Sequence, residues 1–463
     1  MKDWTQGSIV GNLLRLSWPM VISNSLMMLG PTIDVIWVGR LGSASIAGVG
    51  VAGIATQLVI GAIMGLIMGM RALIARFVGS GDVRGANHVA QQALVISGGF
   101  AILMAAVGVF LTEEILGLFG LEADVVAAGS AYLRIMFIGT AAISFRIMAE
   151  GTMQASGDTV TPMSISVIFR LFHVTLCPFL VFGWWIFPEM GVKGAAMTNV
   201  ISQSLGVALG MICLFTGRSV YFEKTGFLPV LRLGPSRMRL TLRNFQLDFN
   251  IIRRIARIGM PAMVSGTERT FSQFFLMYFM APFGTAAVAA HTIIQRVEMV
   301  LFMPGMAFGN GAGVLVGQNL GAGQPKRAEK SVWMAGAMVG VMLVVCSVVI
   351  LLFAENIARI FNQEADLVEQ AGIFLRIAVV GYMVLPLIVV FMSALSGAGD
   401  TLPPMIISTI TIWVIQLPMA YFLPIYTDIG VYGVRWAIVA GMVVGAIGYT
   451  AYFRTGRWKR RHV

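Results

Sequence analysis

Residues 331–353 contain no charged side chain, and apolar runs of this kind recur from one end of the chain to the other. About 20 apolar residues is the length a helix needs to cross the hydrocarbon of a bilayer. In hydrocarbon every backbone N–H and C=O must be satisfied within the segment or around a closed barrel. These runs far exceed the roughly ten alternating residues of a barrel strand, so helices follow. The composition agrees: 11% of the 463 residues are charged and 57% hydrophobic, where a soluble domain carries about a quarter charged.

Breaks at Gly, Pro and charge place spans near 11–38, 47–77, 89–111, 126–153, 160–184, 190–216, 254–281, 288–316, 331–353, 368–396, 403–425 and 430–453, which predicts an all-α membrane protein of twelve transmembrane helices. The long polar connection between the sixth and seventh carries Arg218, Lys224, Arg232, Arg237, Arg239, Arg243, Arg253, Arg254 and Arg257 against Glu223 and Asp248. That excess predicts a cytoplasmic loop. An even count puts the basic tail Arg457 to Arg461 on the same side, while Glu113, Glu114, Glu122, Asp124 and Glu355, Glu364, Asp366 fall opposite. The expected organisation is an N-terminal six-helix lobe (1–216), a basic cytoplasmic linker (217–253) and a C-terminal six-helix lobe with a basic tail (254–463). Both termini are expected in the cytoplasm, with the chain in the cytoplasmic (inner) membrane. The net charge of +11 is spread between the runs instead of forming one basic domain, which argues against nucleic acid as a partner. Met1-Lys2-Asp3 lacks the short apolar core and cleavage pattern of a removed signal, so the first span is expected to stay.

The two halves repeat. A constant offset of 242 aligns Pro19 with Pro261, Gly42 with Gly284, Gly79 with Gly321, Gly81 with Gly323, Arg134 with Arg376, Gly139 with Gly381, Asp158 with Asp400 and Pro162 with Pro404. Near the end it falls to 239, where Gly191 and Gly194 meet Gly430 and Gly433. Six spans separate equivalent positions, so the halves enter the membrane in the same direction. Such a parallel repeat is a design of transporters that work by alternating access.

Asp34 is the first candidate for chemistry. A carboxylate deep in a span costs about 2.5–3.5 kcal/mol on insertion scales and is therefore expected to face a cavity or a partner. The competing possibility is an interfacial Asp capped by Arg40. Its repeat equivalent is Leu276, so the chemistry belongs to the N-terminal half. At 1.5 Å per residue, Asp34, Cys177 and Asn199 lie at similar depths, about 9–14 Å from the outer ends of their spans. His173, one turn further in on the face of Cys177, is either a proton partner or a structural histidine. Glu150 lies nearer the cytoplasm, where direct pairing with Asp34 is not expected and a relay or cation access role is. Pro19 leaves Arg15 C=O without a helical donor and makes a bend cheap, though Pro261 repeats it and an architectural kink explains both.

In the second half Glu268 and Arg269, and likewise Arg296 and Glu298, are opposite charges that could neutralise one another as structural pairs. The substrate-cavity candidates are Asp34, Glu268, Arg269, Met263 and Gln295. The 31 Met and 29 Phe suit an adaptable apolar cavity and lipid-facing helices equally. Cys177, Cys213 and Cys346 show no metal or redox spacing, and His88, His173, His291 and His462 are too dispersed for a metal centre. No phosphate loop, His-Glu-x-x-His or nucleophile elbow occurs, so neither an enzyme nor a cofactor is expected and transport must draw on an ion gradient.

These features resemble the multidrug and toxic compound extrusion (MATE) family over nearly the whole chain. The resemblance rests on Ser17 to Met20, Ile33 to Gly42, Gly157-Asp158-Thr159, Gly259 to Pro261, Ala281 to Ala287 and, above all, Val316 to Gly323. It implies a two-lobed antiporter exporting organic, often cationic, compounds in exchange for H⁺ or Na⁺. Asp34 then stands at the coupling aspartate of the first helix and Pro19 at the proline where that helix bends. Many relatives carry Asn and Asp in the fifth span where this chain has His173 and Cys177. A Na⁺ cage of hard oxygens is thereby disfavoured and H⁺ preferred. The expected partners are small organic substrates, H⁺ or Na⁺ and the bilayer, with the protein a monomer. A lipid-linked sugar flippase of the same superfamily is the alternative.

Overall fold

The computed structural model describes residues 3–117, 123–225, 228–243 and 245–461; Glu122 and His462, named above, lie outside them. In the first half α1 (Ile9–Val38), α2 (Ser43–Gly79), α3 (Val83–Phe110), α4 (Thr112–Gly117), α5 (Ala123–Ile138), α6 (Thr140–Ala155), α7 (Val160–Phe182) and α8 (Val192–Thr216) lead into an antiparallel hairpin of β1 (Arg218–Thr225) and β2 (Leu228–Pro235). The second half has α9 (Phe249–Met280), α10 (Thr285–Gly321), α11 (Pro325–Arg359) and α12 (Ala365–Gly397). A span made of α13 (Leu402–Thr409), a π-helical stretch and α14 (Leu417–Tyr426) follows, and α15 (Tyr432–Arg454) ends it. Among the described residues ten helices are individually long and apolar enough to cross a membrane, and α5 with α6, bent by 46°, makes an eleventh. The remaining expected span corresponds to α9, whose 32 residues include Arg253, Arg254, Arg257, Glu268 and Arg269. The protein is thus an all-α membrane protein of two repeated lobes, with one small hairpin that the run of basic residues did not foretell.

Two compact units are present, one of Met1–Asp3 and Ile22–Gly259, the other of Trp4–Val21 and Met260–Val463. The repeat is carried in detail. Gly42 and Gly284 both turn the chain between helices at positive φ, 116° and 93°, a conformation that only glycine adopts at little cost. Arg134 pairs with Glu113 at 3.0 Å, and their repeat equivalents Arg376 and Glu355 pair at 3.1 Å.

The repeated aspartates anchor the polar segments beside them in each unit. Asp158 accepts from Thr161 N at 3.0 Å and from its hydroxyl at 2.6 Å, and the same hydroxyl receives Val220 N–H of β1 at 2.8 Å. Burial raises the Asp158 carboxyl above its usual range, against the opposing pull of these bonds. Asp400 accepts from Tyr452 at 2.5 Å. Beside it the tail is held by the fully buried Trp458, whose ring stacks 4.9 Å from Phe453, itself 4.6 Å from Phe391. The linker before α9 is tied to α3: Gln91 and Gln92 donate to the carbonyls of Thr241 and Gln246, and His88 Nε2 lies 3.2 Å from Asp248.

Candidate functional site

Four helices of the first unit converge on Asp34, which is fully buried in α1. Tyr132 of α5 donates its hydroxyl to Oδ2 at 3.2 Å, and Asn199 of α8 donates its amide to the same oxygen at 3.4 Å. From α7, Cys177 Sγ stands 3.9 Å and His173 Nε2 3.1 Å from Oδ1, the latter off the line of a hydrogen bond. Arg170, His173 and Cys177 fall on one face of α7 because their spacing of three and four matches the helical turn. The expected layer of Asp34, Cys177 and Asn199 is therefore present in space, with His173 in contact with it.

Behind Asn199 the polar chain continues. Gln203 donates to Asn199 Oδ1 at 3.4 Å, Arg146 of α6 donates its Nε to Gln203, and Arg146 pairs with Glu150 one turn along at 2.6 Å. Ser166 also donates to Glu150, at 3.2 Å. Glu150 does not touch Asp34; it sits at the far end of this chain. An arginine can only donate, so Gln203 must turn its oxygen to Arg146 and its NH₂ to Asn199, and Asn199 must in turn aim its NH₂ at Asp34. Arg146 thereby fixes the direction of the hydrogen bonds that reach Asp34 from α8.

The same logic applies to α7. Arg170 Nη1 lies 3.3 Å from His173 Nδ1, so Nδ1 is the acceptor and the proton of a neutral ring resides on Nε2, facing Asp34. The donor atoms of Asp34, His173 and Cys177 lie within 4.8 Å of one another, close enough for a metal. A protonated Nε2, however, has no lone pair to offer. For Na⁺ the difficulty is similar, since a hard cation needs oxygen lone pairs. Here Tyr132, Asn199 and Cys177 all turn hydrogens to the carboxylate, and His173 Nε2 stands beside it.

Tyr132, Arg146, Arg170 and Gln203 escaped the sequence reading. The two arginines carried a usable signal, because charge in the middle of an apolar span marks a functional or paired site. Pro19 lies within α1, which continues as helix through it.

In the second unit the expected pairs are replaced by others. Glu298 pairs with Arg435 of α15 at 2.5 Å, while Arg296 is exposed; side chains two apart on a helix point in different directions. Tyr382 donates to Glu298 at 3.4 Å, and Arg435 also reaches His291 Nδ1 at 3.3 Å. Glu268 takes hydroxyl donors in place of Arg269: Thr409 at 2.6 Å and Ser408 at 3.4 Å. Arg269 lies over the Phe302 ring at 5.4 Å and 3.7 Å from Met392 sulfur. Gln295 donates to Gln273 at 2.6 Å, beside His291, and Met263 is half-buried in α9. Glu268, Arg269, Met263 and Gln295 share no side-chain hydrogen bond among the described residues.

The MatE family model matches residues 19–179 and 261–422, starting points that reproduce the 242-residue offset of the repeat. The chain is similar to the probable multidrug resistance protein NorM of Thermotoga maritima, 25% identical over 97% of this chain and 93% of that one. A crystal structure of MATE in the bent conformation has the same fold, with a TM-score of 0.89 at 24% identity over 99% and 98% of the two chains. So does an outward-facing multidrug resistance MATE family transporter of the MOP superfamily, at 0.87, 24%, 99% and 98%.

Proposed function

The chain belongs to the MatE family and is a multi-pass membrane transporter, and from that premise we propose that it exports small organic, often cationic compounds by alternating access in exchange for protons, with Asp34 as the coupling group. The observation that carries the choice of ion is the set of hydrogens turned towards Asp34 by Tyr132, Asn199 and Cys177. A carboxylate ringed by donors suits a proton that comes and goes better than a metal cation that needs lone pairs. Charge supports it too. Asp34 and Glu150 balance Arg146 and Arg170, so a proton on Asp34 leaves a buried site with one uncompensated positive charge. In hydrocarbon that difference is costly and can bias one conformation over another.

Asn199, His173 and Cys177 complete the coupling site in this proposal, Glu150 is its cytoplasmic end, and Pro19 is a bending point of α1. Glu268, Arg269, Met263 and Gln295 are assigned to organic substrate. The basic linker and tail support a cytoplasmic side for both termini of an inner-membrane protein.

In proteoliposomes, a pH gradient is expected to drive counter-movement of a fluorescent organic cation, a Na⁺ gradient alone is not, and Asp34→Asn is expected to abolish it. Gradient-driven export that survives Asp34→Asn would refute the assignment.

A further inference from the structure

Four residues after Met27 and three before Asp34, α1 contains a defect. Pro31 has no N–H, so the helix cannot supply the donor that Met27 O would ordinarily receive. Arg170 Nη2, from α7, donates to that carbonyl at 3.4 Å. The guanidinium can come so close because the preceding residue is Gly30: a Cβ there would collide first with Arg170 Nη1, Cζ and Nη2. The notch thus has two parts, a missing side chain that leaves room and a missing N–H that leaves an acceptor. Arg170 is 4% exposed and lies 5.3 Å from the Phe169 ring centroid, so it is held on a third side as well. Its other nitrogen, Nη1, meets His173 Nδ1 at 3.3 Å.

We propose that Arg170, seated in the Gly30–Pro31 notch, is a positioning residue that keeps His173 neutral with its proton on Nε2, so that Asp34 alone carries the exchanged proton. The role rests on the proton-coupled function above. A guanidinium donating to Nδ1 removes the lone pair that a second proton would need, and its charge opposes an imidazolium at this distance. Without Arg170, Nδ1 would be a buried acceptor with nothing to accept. It would take a proton and form a fixed ion pair with Asp34, and a proton held in such a pair is no longer free to leave. Among the described residues the ionisable groups around Asp34 and this ring are Asp34 itself from α1, Tyr132 from α5, which bonds Asp34, and Arg170 and Cys177 from α7, with Arg146 and Glu150 of α6 acting through Arg170. The α8 side brings the amides of Asn199 and Gln203.

Solid-state NMR of ¹⁵N-histidine protein in proteoliposomes tests this, with the His173 signals identified by their loss in His173→Gln. The wild type is expected to show one neutral form across the working pH range, protonated at Nε2 and unprotonated at Nδ1. In Arg170→Met a second form, the imidazolium or the Nδ1–H tautomer, becomes the major one. Gly30→Ala, which leaves Arg170 in place and only displaces its guanidinium, should give the same second form. A wild-type His173 protonated at Nδ1, or an unchanged spectrum in both variants, would overturn the role of Arg170 whatever Asp34 does. Export that survives Asp34→Asn would instead refute the coupling role of Asp34, and the function assigned to Arg170 with it.

Discussion

Replacing Arg435 by Met should destabilise the second unit far more than replacing Arg376, although each arginine ends in one carboxylate. Arg435 is 1% exposed and its partner Glu298 25%, and the pair also serves Tyr382 and His291. Removing one member of a buried pair leaves an uncompensated charge and costs about 3–5 kcal/mol. Arg376 and Glu355 are 45% and 43% exposed, and pairs of that kind contribute about 0–1 kcal/mol. At roughly 2–4 °C per kcal/mol for a unit of this size, Arg435→Met should lower the melting temperature in detergent by about 6 °C or more. Arg376→Met should lower it by a few degrees at most. The double variant Arg435→Met with Glu298→Gln should recover most of the loss, because a buried pair replaced as a whole is nearly neutral. Thermal unfolding followed by intrinsic fluorescence at one scan rate measures all three. Equal shifts for Arg435→Met and Arg376→Met, or a double variant worse than the single, would refute the reasoning.

Gly397→Ala should destabilise by about 1–3 kcal/mol, since its Cβ would meet the Gly313 backbone, which cannot swing aside. Gly336→Ala in α11, where nothing lies within 4 Å, should be neutral or stabilise by about 0.5–1 kcal/mol; melting temperatures compare the two. At the start of α9 the hydrogen bond from His88, with the amides of Ile251 and Asn250, holds the Asp248 carboxyl below its usual value of 3.8. A depressed folded value means that its contribution to the linker clasp is present above pH 3.8 and is lost as pH falls through the folded value. Hydrogen exchange at Asn250 and Ile251 should accordingly accelerate only on the acid side of that range, and Asp248→Asn should remove this pH dependence.

The periodicity of the repeat made the lobes legible, because the features that carry it are local: glycines at fixed offsets, prolines, and a charge pair 21 residues apart. The β-hairpin was not, since short strands in a polar connection have no long apolar period to announce them. The Asp34 layer could be found by counting depth along three helices, a calculation that needs only the rise per residue. Arg170 lay outside that layer, and its meaning depends on a carbonyl freed by Pro31, 139 residues away in the chain. In the second unit proximity in sequence misled. Arg296 is near Glu298 in the chain but on another face, whereas Arg435 reaches Glu298 across 137 residues. Contacts of that range are set by helix packing, which the pattern of one helix does not contain.

Proton release on substrate binding tests the central claim most directly. Purified protein in weak buffer with a pH-sensitive dye is mixed with an organic cation. Coupling through one carboxylate predicts release of about one proton per protein from the wild type and none from Asp34→Asn. Release that persists undiminished in Asp34→Asn, or substrate binding that requires Na⁺ and moves no proton, would contradict it.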